Sequence, residues 1–316
     1  MVTLAWVRSD DTESIRPDLQ PIGRCYRPER PPRPTQETDM RLAVIQLGYD
    51  DQEPVADRVI RAAGLVRAQA GHDLVVLPEL WAPGGFSYQL WDERAEAVDG
   101  PVASAMSEAA RDAAVMLHAG SIVERPADGV PGPEGKHLWN TSLVFAVDGS
   151  LAATYRKIHR FGFGLGEPLL MEAGEDLSMV DVPDSSSSAG YARAALSTCY
   201  DLRFPELYRA QLDAGATLFV IPAAWPAARV HHWTLLAHAR AIENQCVVVA
   251  CNTAGVHAGA KMGGHSQVVL PTGDVVAMAG SDEQVLSVEV EMSVVSDYRA
   301  RFPVLRDRRL PIAGLS

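Results

Sequence analysis

Short, wholly apolar runs recur along this chain, and helical patterns fill the intervals between them. Leu74-Val75-Val76-Leu77 is one such run, and Thr217–Ile221 and Cys246–Cys251 are others. Four to six apolar residues with no polar alternation read as a strand buried on both faces. Pro78 stops the first of them, because proline cannot continue a ladder. Met40–Gln46 reads as a strand, residues 54–70 as an amphipathic helix, and residues 101–117 as a second helix opened by Pro101. Leu143–Leu151 reads as strand, Asp148-Gly149 turn, strand. Residues 206–214 and 231–245 carry helical patterns, and Ser266–Leu270 precedes the turn Pro271–Asp274 and further strand up to Val290. Asp184–Gly190 is a serine-rich loop. Strands alternating with helices, plus hairpins, predict a mixed α/β layered domain.

Three of these strands end in residues that are costly to bury. Glu79 follows the run stopped by Pro78, and Lys157 closes Thr154-Tyr155-Arg156-Lys157. Cys199 follows Leu196-Ser197-Thr198, and the charged turn Tyr200-Asp201-Leu202-Arg203 comes after it. A carboxylate at the end of a buried strand must be paired or used. Taken singly, the lysine reads as a solvated strand end and the cysteine as a small core residue. Together, a thiol, a carboxylate and an ammonium are the parts of covalent acyl transfer: a nucleophile, its base and a fixed cation for the oxyanion.

Pro78-Glu79, Tyr155-Arg156-Lys157-Ile158-His159 and Cys199-Tyr200-Asp201-Leu202-Arg203-Phe204-Pro205-Glu206 resemble, in order, the three signature blocks of the nitrilase, or carbon–nitrogen hydrolase, superfamily. Pro222-Ala223-Ala224-Trp225 and Ala239–Gln245 extend the resemblance, which covers about residues 40 to 310. It is closest in look to the omega-amidase-like branch. The resemblance implies a four-layer αββα sandwich with mixed sheets and an internal two-fold repeat, and dimers stacked as αββα–αββα. It implies Cys199 as nucleophile, Glu79 as general base and acid, and Lys157 with the backbone N–H of Tyr200 as oxyanion donors. Glu167, in Gly164-Leu165-Gly166-Glu167-Pro168, matches a second glutamate that holds the substrate amide and orients Lys157; Glu172 and Glu175 are its rivals in that loop. No metal and no organic cofactor are implied. The expected reaction releases ammonia from a small amide through a cysteine acyl-enzyme. An N-carbamoyl compound or a nitrile as substrate, and a catalytically silent binding or scaffold role, are the alternatives.

Composition narrows the partners. A net charge of −12 disfavours nucleic acid and anionic membranes. With 316 residues, 47% of them hydrophobic, the chain can build a sizeable core. The four cysteines show neither zinc nor disulfide spacing, no apolar stretch reaches the length of a membrane span, and no secretory signal is visible. These features predict a cytoplasmic enzyme acting on a small molecule, as a homodimer or higher homo-oligomer. Residues 1–39, rich in proline and charge, read as a disordered extension ahead of a hydrolase domain at 40–295. A tail at 296–316 is placed at a dimer interface.

Phe86 and Tyr88 are expected at the pocket mouth. Trp225 is expected either to line the acyl pocket or to pack. Arg203 with Glu206, and Arg240 with Glu243, read as ion pairs that shape the site. His231, His232 and His238 lack the spacing of metal ligands, and Cys246 and Cys251 read as core. No G-x-S-x-G elbow occurs, which disfavours a serine hydrolase.

Overall fold

Two six-stranded mixed sheets face each other. In spatial order the first runs Gln284–Val290, Met40–Gln46, Leu74–Val76, Met116–Glu124, Trp139–Phe145, Leu151–Arg156. The second runs Met179–Pro183, Tyr191–Leu196, Leu218–Ala223, Val247–Asn252, Gln267–Val269, Val275–Met278. The computed structural model describes residues 39–184 and 189–310. Residues 1–38 of the predicted extension, Ser185 to Ser188 of the serine-rich loop, and residues 311–316 of the predicted tail lie outside the described residues.

Alternation along each strand builds the layers. In Met40–Gln46, Leu42 and Val44 face the second sheet and meet Leu196, Val220 and Val249. Ala43 and Ile45 face the other way, onto the helices Val55–Arg67 and Pro101–Ala113 through Ala62, Val66, Met106 and Ala110. On the far side, Phe219, Ile221 and Val248 pack under the helices Pro205–Asp213 and Val230–Asn244 through Leu207, Tyr208, Trp233 and Ala237. The architecture is a four-layer αββα sandwich, in agreement with the expectation from sequence.

The two sheets also repeat one pattern. Each has three parallel central strands, one antiparallel edge strand, and an antiparallel pair on the other side. Both halves have the order strand, helix, strand, helix, strand, hairpin. The edge strand of each sheet follows the hairpin of the other, so each half closes its partner's sheet. A small third sheet joins Gly48–Asp50, Ala254–His257 and Ala260–Lys261.

One element differs from the sequence reading. The helix expected over 101–117 ends at Ala113, Ala114 takes a left-handed φ of 51°, and Met116–Glu124 is a strand buried along its whole length. The apolar run Ala113–Leu117 satisfies a helical stripe and a two-faced buried strand equally well. No glycine marks the break, because an alanine takes the left-handed cap. The helix Ser293–Arg301 spans the boundary set at 295, and Arg299 docks it by donating to the carbonyls of Gln245 and Ala216.

Candidate active site

Glu79, Lys157, Cys199 and Glu167 meet at one end of the two sheets, around a single small cavity also lined by Phe86, Tyr88 and Phe161. The backbone is shaped to deliver each of them. Cys199 opens the short 3-10 turn Cys199–Arg203 with a left-handed φ of 48°. For a non-glycine residue that conformation is costly and marks a position held by its surroundings. The holding group is Asp201. Its Oδ2 accepts from the Thr198 N–H at 2.8 Å and the Tyr155 hydroxyl at 2.7 Å, and its Oδ1 accepts from the His159 N–H at 2.9 Å. One buried carboxylate therefore ties the nucleophile turn to the Tyr155–His159 segment that carries Lys157. Arg240, buried on its helix, donates to the Leu202 carbonyl at 2.8 Å and closes the far end of the turn.

The charged groups are almost fully withdrawn from water. Glu79, Lys157 and Glu167 are exposed by only 3%, 2% and 3%. Lys157 Nζ donates to Glu79 Oε1 at 2.7 Å and to Glu167 Oε2 at 2.8 Å. Asn140 Nδ2 donates to Glu79 Oε1 at 2.9 Å and to Glu167 Oε1 at 2.6 Å, and the Ala224 N–H reaches Glu79 Oε2 at 2.8 Å. Burial opposes the charge on Lys157, but Glu167 and Glu79 more than offset it and hold the ammonium well above the usual lysine range. Burial also raises Glu167, against the lowering effect of Lys157.

The thiol behaves differently from a simple reading of its neighbours. A lysine beside Cys199 suggests a ready thiolate. Burial first, and then the negative charge of Glu79, push the thiol well above its ordinary value and outweigh Lys157. Two carboxylates already share the lysine. The resting sulfur is therefore protonated, and its proton has to leave during attack, toward a base. Glu79 is placed for that. Tyr200 is second in the turn, and its N–H belongs to the helix-start donors that have no intrahelical partner.

Phe86, Tyr88, Tyr200 and Trp225 also reach this region, as anticipated from sequence. Trp225 is buried and lines an adjoining cavity with Cys199, Tyr200, Arg203 and Arg229. The rivals to Glu167 do not: Glu172 caps the Glu134 and Lys136 N–H groups at 2.9 and 2.8 Å, and Glu175 is exposed. Arg240 and Glu243 pair at 2.7 Å as expected. Glu206, by contrast, is exposed, and Arg203 instead stacks over the Trp225 ring at 4.6 Å. The histidines form no metal cluster among the described residues. Sequence reasoning missed Asn140, Asp201 and Arg229. The first two left a trace, as polar residues within a strand and within a turn; Arg229 left none.

Comparison with known proteins then identifies the family. The carbon–nitrogen hydrolase family matches residues 41–300. The chain belongs to the carbon–nitrogen hydrolases. It is 45% identical over 271 residues to the 2-oxoglutaramate amidase of Paenarthrobacter nicotinovorans, covering 86% of this chain and 90% of that one. It is 35% identical to the omega-amidase of Homo sapiens over 86% of this chain and 96% of the relative. Among solved structures, a carbon–nitrogen hydrolase superfamily protein of Xanthomonas campestris, with an arsenic adduct in its active site, superposes with a TM-score of 0.76. That protein is 31% identical, with 87% of this chain and 99% of the other covered.

Proposed function

We propose that this carbon–nitrogen hydrolase is an amidase of the omega-amidase type, cleaving the terminal amide of a short 2-oxo acid such as 2-oxoglutaramate. The observation that carries the chemistry is the buried cluster of Glu79, Lys157 and Glu167 in one cavity with Cys199. The similarity to an enzyme named 2-oxoglutaramate amidase supports the substrate.

In this mechanism the Cys199 sulfur attacks the amide carbon while Glu79 accepts the thiol proton. The carbonyl oxygen becomes an oxyanion held between Lys157 Nζ and the Tyr200 N–H. A well-placed oxyanion donor is worth about 3–4 kcal/mol of barrier. Lys157 already points at Glu79 and Glu167 before substrate arrives, so the cation needs no rearrangement. Glu79 passes its proton to the departing nitrogen, the C–N bond breaks, and ammonia leaves a thioester. Water attacks that thioester, Glu79 takes a proton from it, and the proton returns to sulfur as the acid is released. Glu167 and Asn140 keep Lys157 and Glu79 in place throughout.

We also place the enzyme in the cytoplasm, as a homodimer. Support for the first is the acidic charge and the absence, among the described residues, of any helix long and apolar enough to cross a membrane. Leu235 and Ile242, exposed on Val230–Asn244, offer an apolar helix face for the second. Ammonia release from 2-oxoglutaramate, 2-oxosuccinamate, N-carbamoyl amines and aromatic nitriles tests the function. The amides should react and the nitriles should not. Faster turnover of nitriles would refute the amidase reading.

A further inference from the structure

The segment that follows Glu79 is pinned from behind at almost every residue. The Leu80 N–H donates to Ser121 Oγ at 3.0 Å, and Arg58 donates to the Trp81 and Ala82 carbonyls at 3.0 and 3.2 Å. Trp91 Nε1 reaches the Gly84 carbonyl at 2.8 Å. The last pin comes from elsewhere in the fold: the Gly85 N–H donates to the Tyr49 hydroxyl at 3.2 Å. Gly85 and Phe86 then form one wall of the catalytic cavity, and Phe86 also faces the adjoining cavity beside Trp225. Gly85 has no slack, because a Cβ there would come within 2.6 Å of the Ala224 Cβ. The N–H of Ala224 is the one that donates to Glu79 Oε2 at 2.8 Å.

Tyr49 is held as firmly as the segment it holds. It lies in the small third sheet, where parallel pairing of Gly48–Asp50 with Ala254–His257 joins the N-terminal half of the chain to the C-terminal half. The Arg58 guanidinium sits over its ring, 4.1 Å from the centroid, and the His257 ring stacks on it at 4.3 Å. The Tyr49 hydroxyl also lies 3.1 Å from His257 Nε2. Burial first, and then Arg58, push His257 down to about 4, so a neutral imidazole stacks there and no second cation opposes Arg58. Tyr49, His257 and Arg58 are all buried, yet none of them lines the catalytic cavity. Buried polar side chains call for a reason, and apolar residues of similar size would serve packing alone. A line of contacts supplies that reason, running from His257 and Tyr49 through Gly85 and Ala224 to the catalytic Glu79.

We propose, resting on the amidase reading, that Tyr49 is a positioning residue for the hydrolysis: its hydroxyl, braced by Arg58 and His257, fixes Gly85 and Phe86 as the wall that aligns the amide between Cys199 and Glu79. Reacting atoms must meet within about 3–3.5 Å, and a displacement near 1 Å costs on the order of 10²-fold in rate. Without the hydroxyl the Gly85 N–H loses its acceptor. The segment then shifts, because Gly85 has no side chain to hold it against Ala224. Tyr49 itself touches no substrate. The amide still enters the cavity but lies off line for attack, so the loss falls on kcat rather than on KM.

The test measures kcat and KM for 2-oxoglutaramate in the full-length enzyme, in Tyr49→Phe, in His257→Leu and in the double variant, with the melting temperature of each. Tyr49→Phe keeps the ring and deletes only the hydroxyl. It should lower kcat by about tenfold or more while KM changes by less than about threefold. His257→Leu should lower kcat in the same sense. In the double variant the two losses should not add, because His257 acts through the Tyr49 hydroxyl. Alkylation of Cys199 by 2-chloroacetamide, mapped by mass spectrometry, needs no substrate and should slow by a similar factor in Tyr49→Phe. A folded Tyr49→Phe with kcat within about threefold of the wild type, or losses that add in full in the double variant, overturns the positioning role. If Tyr49→Phe does not fold, His257→Leu decides, and wild-type kcat in that variant overturns it. If the wild type does not hydrolyse 2-oxoglutaramate, the amidase reading falls, and the alkylation rate alone decides the role of Tyr49.

Discussion

In the N-terminal half, the strand Leu74–Val76 leads to Glu79; its counterpart in the C-terminal half, Leu218–Ala223, leads to Ala224 and Trp225. Leu151–Arg156 runs into Lys157, and its counterpart Val275–Met278 runs into Ala279. Tyr191–Leu196 leads to Cys199, and its counterpart Met40–Gln46 leads to Tyr49. The repeat therefore builds two corners on one scaffold, which meet at Ala224 and Trp225. The first holds three buried charges and a thiol. The second holds neutral amides: Gln46 Nε2 donates to the Gly280 and Asp282 carbonyls at 2.9 and 2.6 Å, and its Oε1 accepts from the Ser266 N–H at 2.8 Å. Asn252 there accepts from Trp225 and Thr253 and donates to Trp225 and Gly264. Fully paired neutral groups knit backbone together at little cost. Buried charges cost much more to hold, and such an arrangement is better accounted for by chemistry than by stability.

Removing the base in the charged corner should have the largest effect. Glu79→Gln keeps the shape, but it removes the proton acceptor from both acylation and deacylation. We expect turnover to fall by about 10⁴-fold, at the upper end of what a general base contributes, measured as ammonia release. A fall of less than about tenfold would leave the charged corner without a base. Lys157→Met should come next. It strands Glu79 and Glu167 together without their cation, and breaking such a buried pair costs about 3–5 kcal/mol. Urea unfolding should show that loss together with loss of activity, and stability at the wild-type level would contradict the account.

The neutral corner should respond in the opposite sense. Gln46→Leu leaves the Ser266 N–H unpaired, at about 1–3 kcal/mol, and should change turnover by less than about threefold. A loss of activity much larger than the loss of stability would show that the corners are not functionally distinct.

Much of this contrast was legible in the chain. Glu79 and Cys199 stand out because each follows an apolar strand that has no reason to end in a charge or a thiol; Lys157 reads alone as a solvated strand end and stands out only in their company. The layers follow from two-faced strands and amphipathic helices. What escaped depends on contacts distant in sequence. Asn140 matters because its strand lies beside the one that leads to Lys157, and its amide spans Glu79 and Glu167. Asp201 matters because its carboxylate reaches back to Tyr155 and His159. The thiol's protonation follows from the depth of burial and from a cation shared by two acids, and neither is written in local sequence. The helix expected over 101–117 overruns the start of the strand Met116–Glu124, because the apolar run Ala113–Leu117 fits both periods.

The last effect concerns pH and touches stability alone. His118, paired with Val76 across the first sheet, is pushed down to about 4 by burial. Below its ordinary value near ~6.5 the unfolded chain takes up a proton that the folded chain refuses. Stability should therefore fall as pH drops from about 6.5 toward 4, by up to about 1.4 kcal/mol per pH unit from this residue. His118→Asn keeps an acceptor for the Gly120 N–H and should flatten that slope in urea titrations at pH 7 and pH 5. An unaltered slope would place the acid sensitivity elsewhere.

The central claim is that a protonated, buried Cys199 becomes the acyl carrier. Hydroxylamine intercepts a thioester and diverts the acyl group to a hydroxamate, so the measurement is hydroxamate formed during turnover of 2-oxoglutaramate by the wild type and by Cys199→Ala. The account predicts hydroxamate that rises with hydroxylamine in the wild type, and neither hydroxamate nor ammonia above background in a folded Cys199→Ala. Turnover retained in Cys199→Ala, or ammonia release in the wild type with no hydroxamate at saturating hydroxylamine, would contradict it.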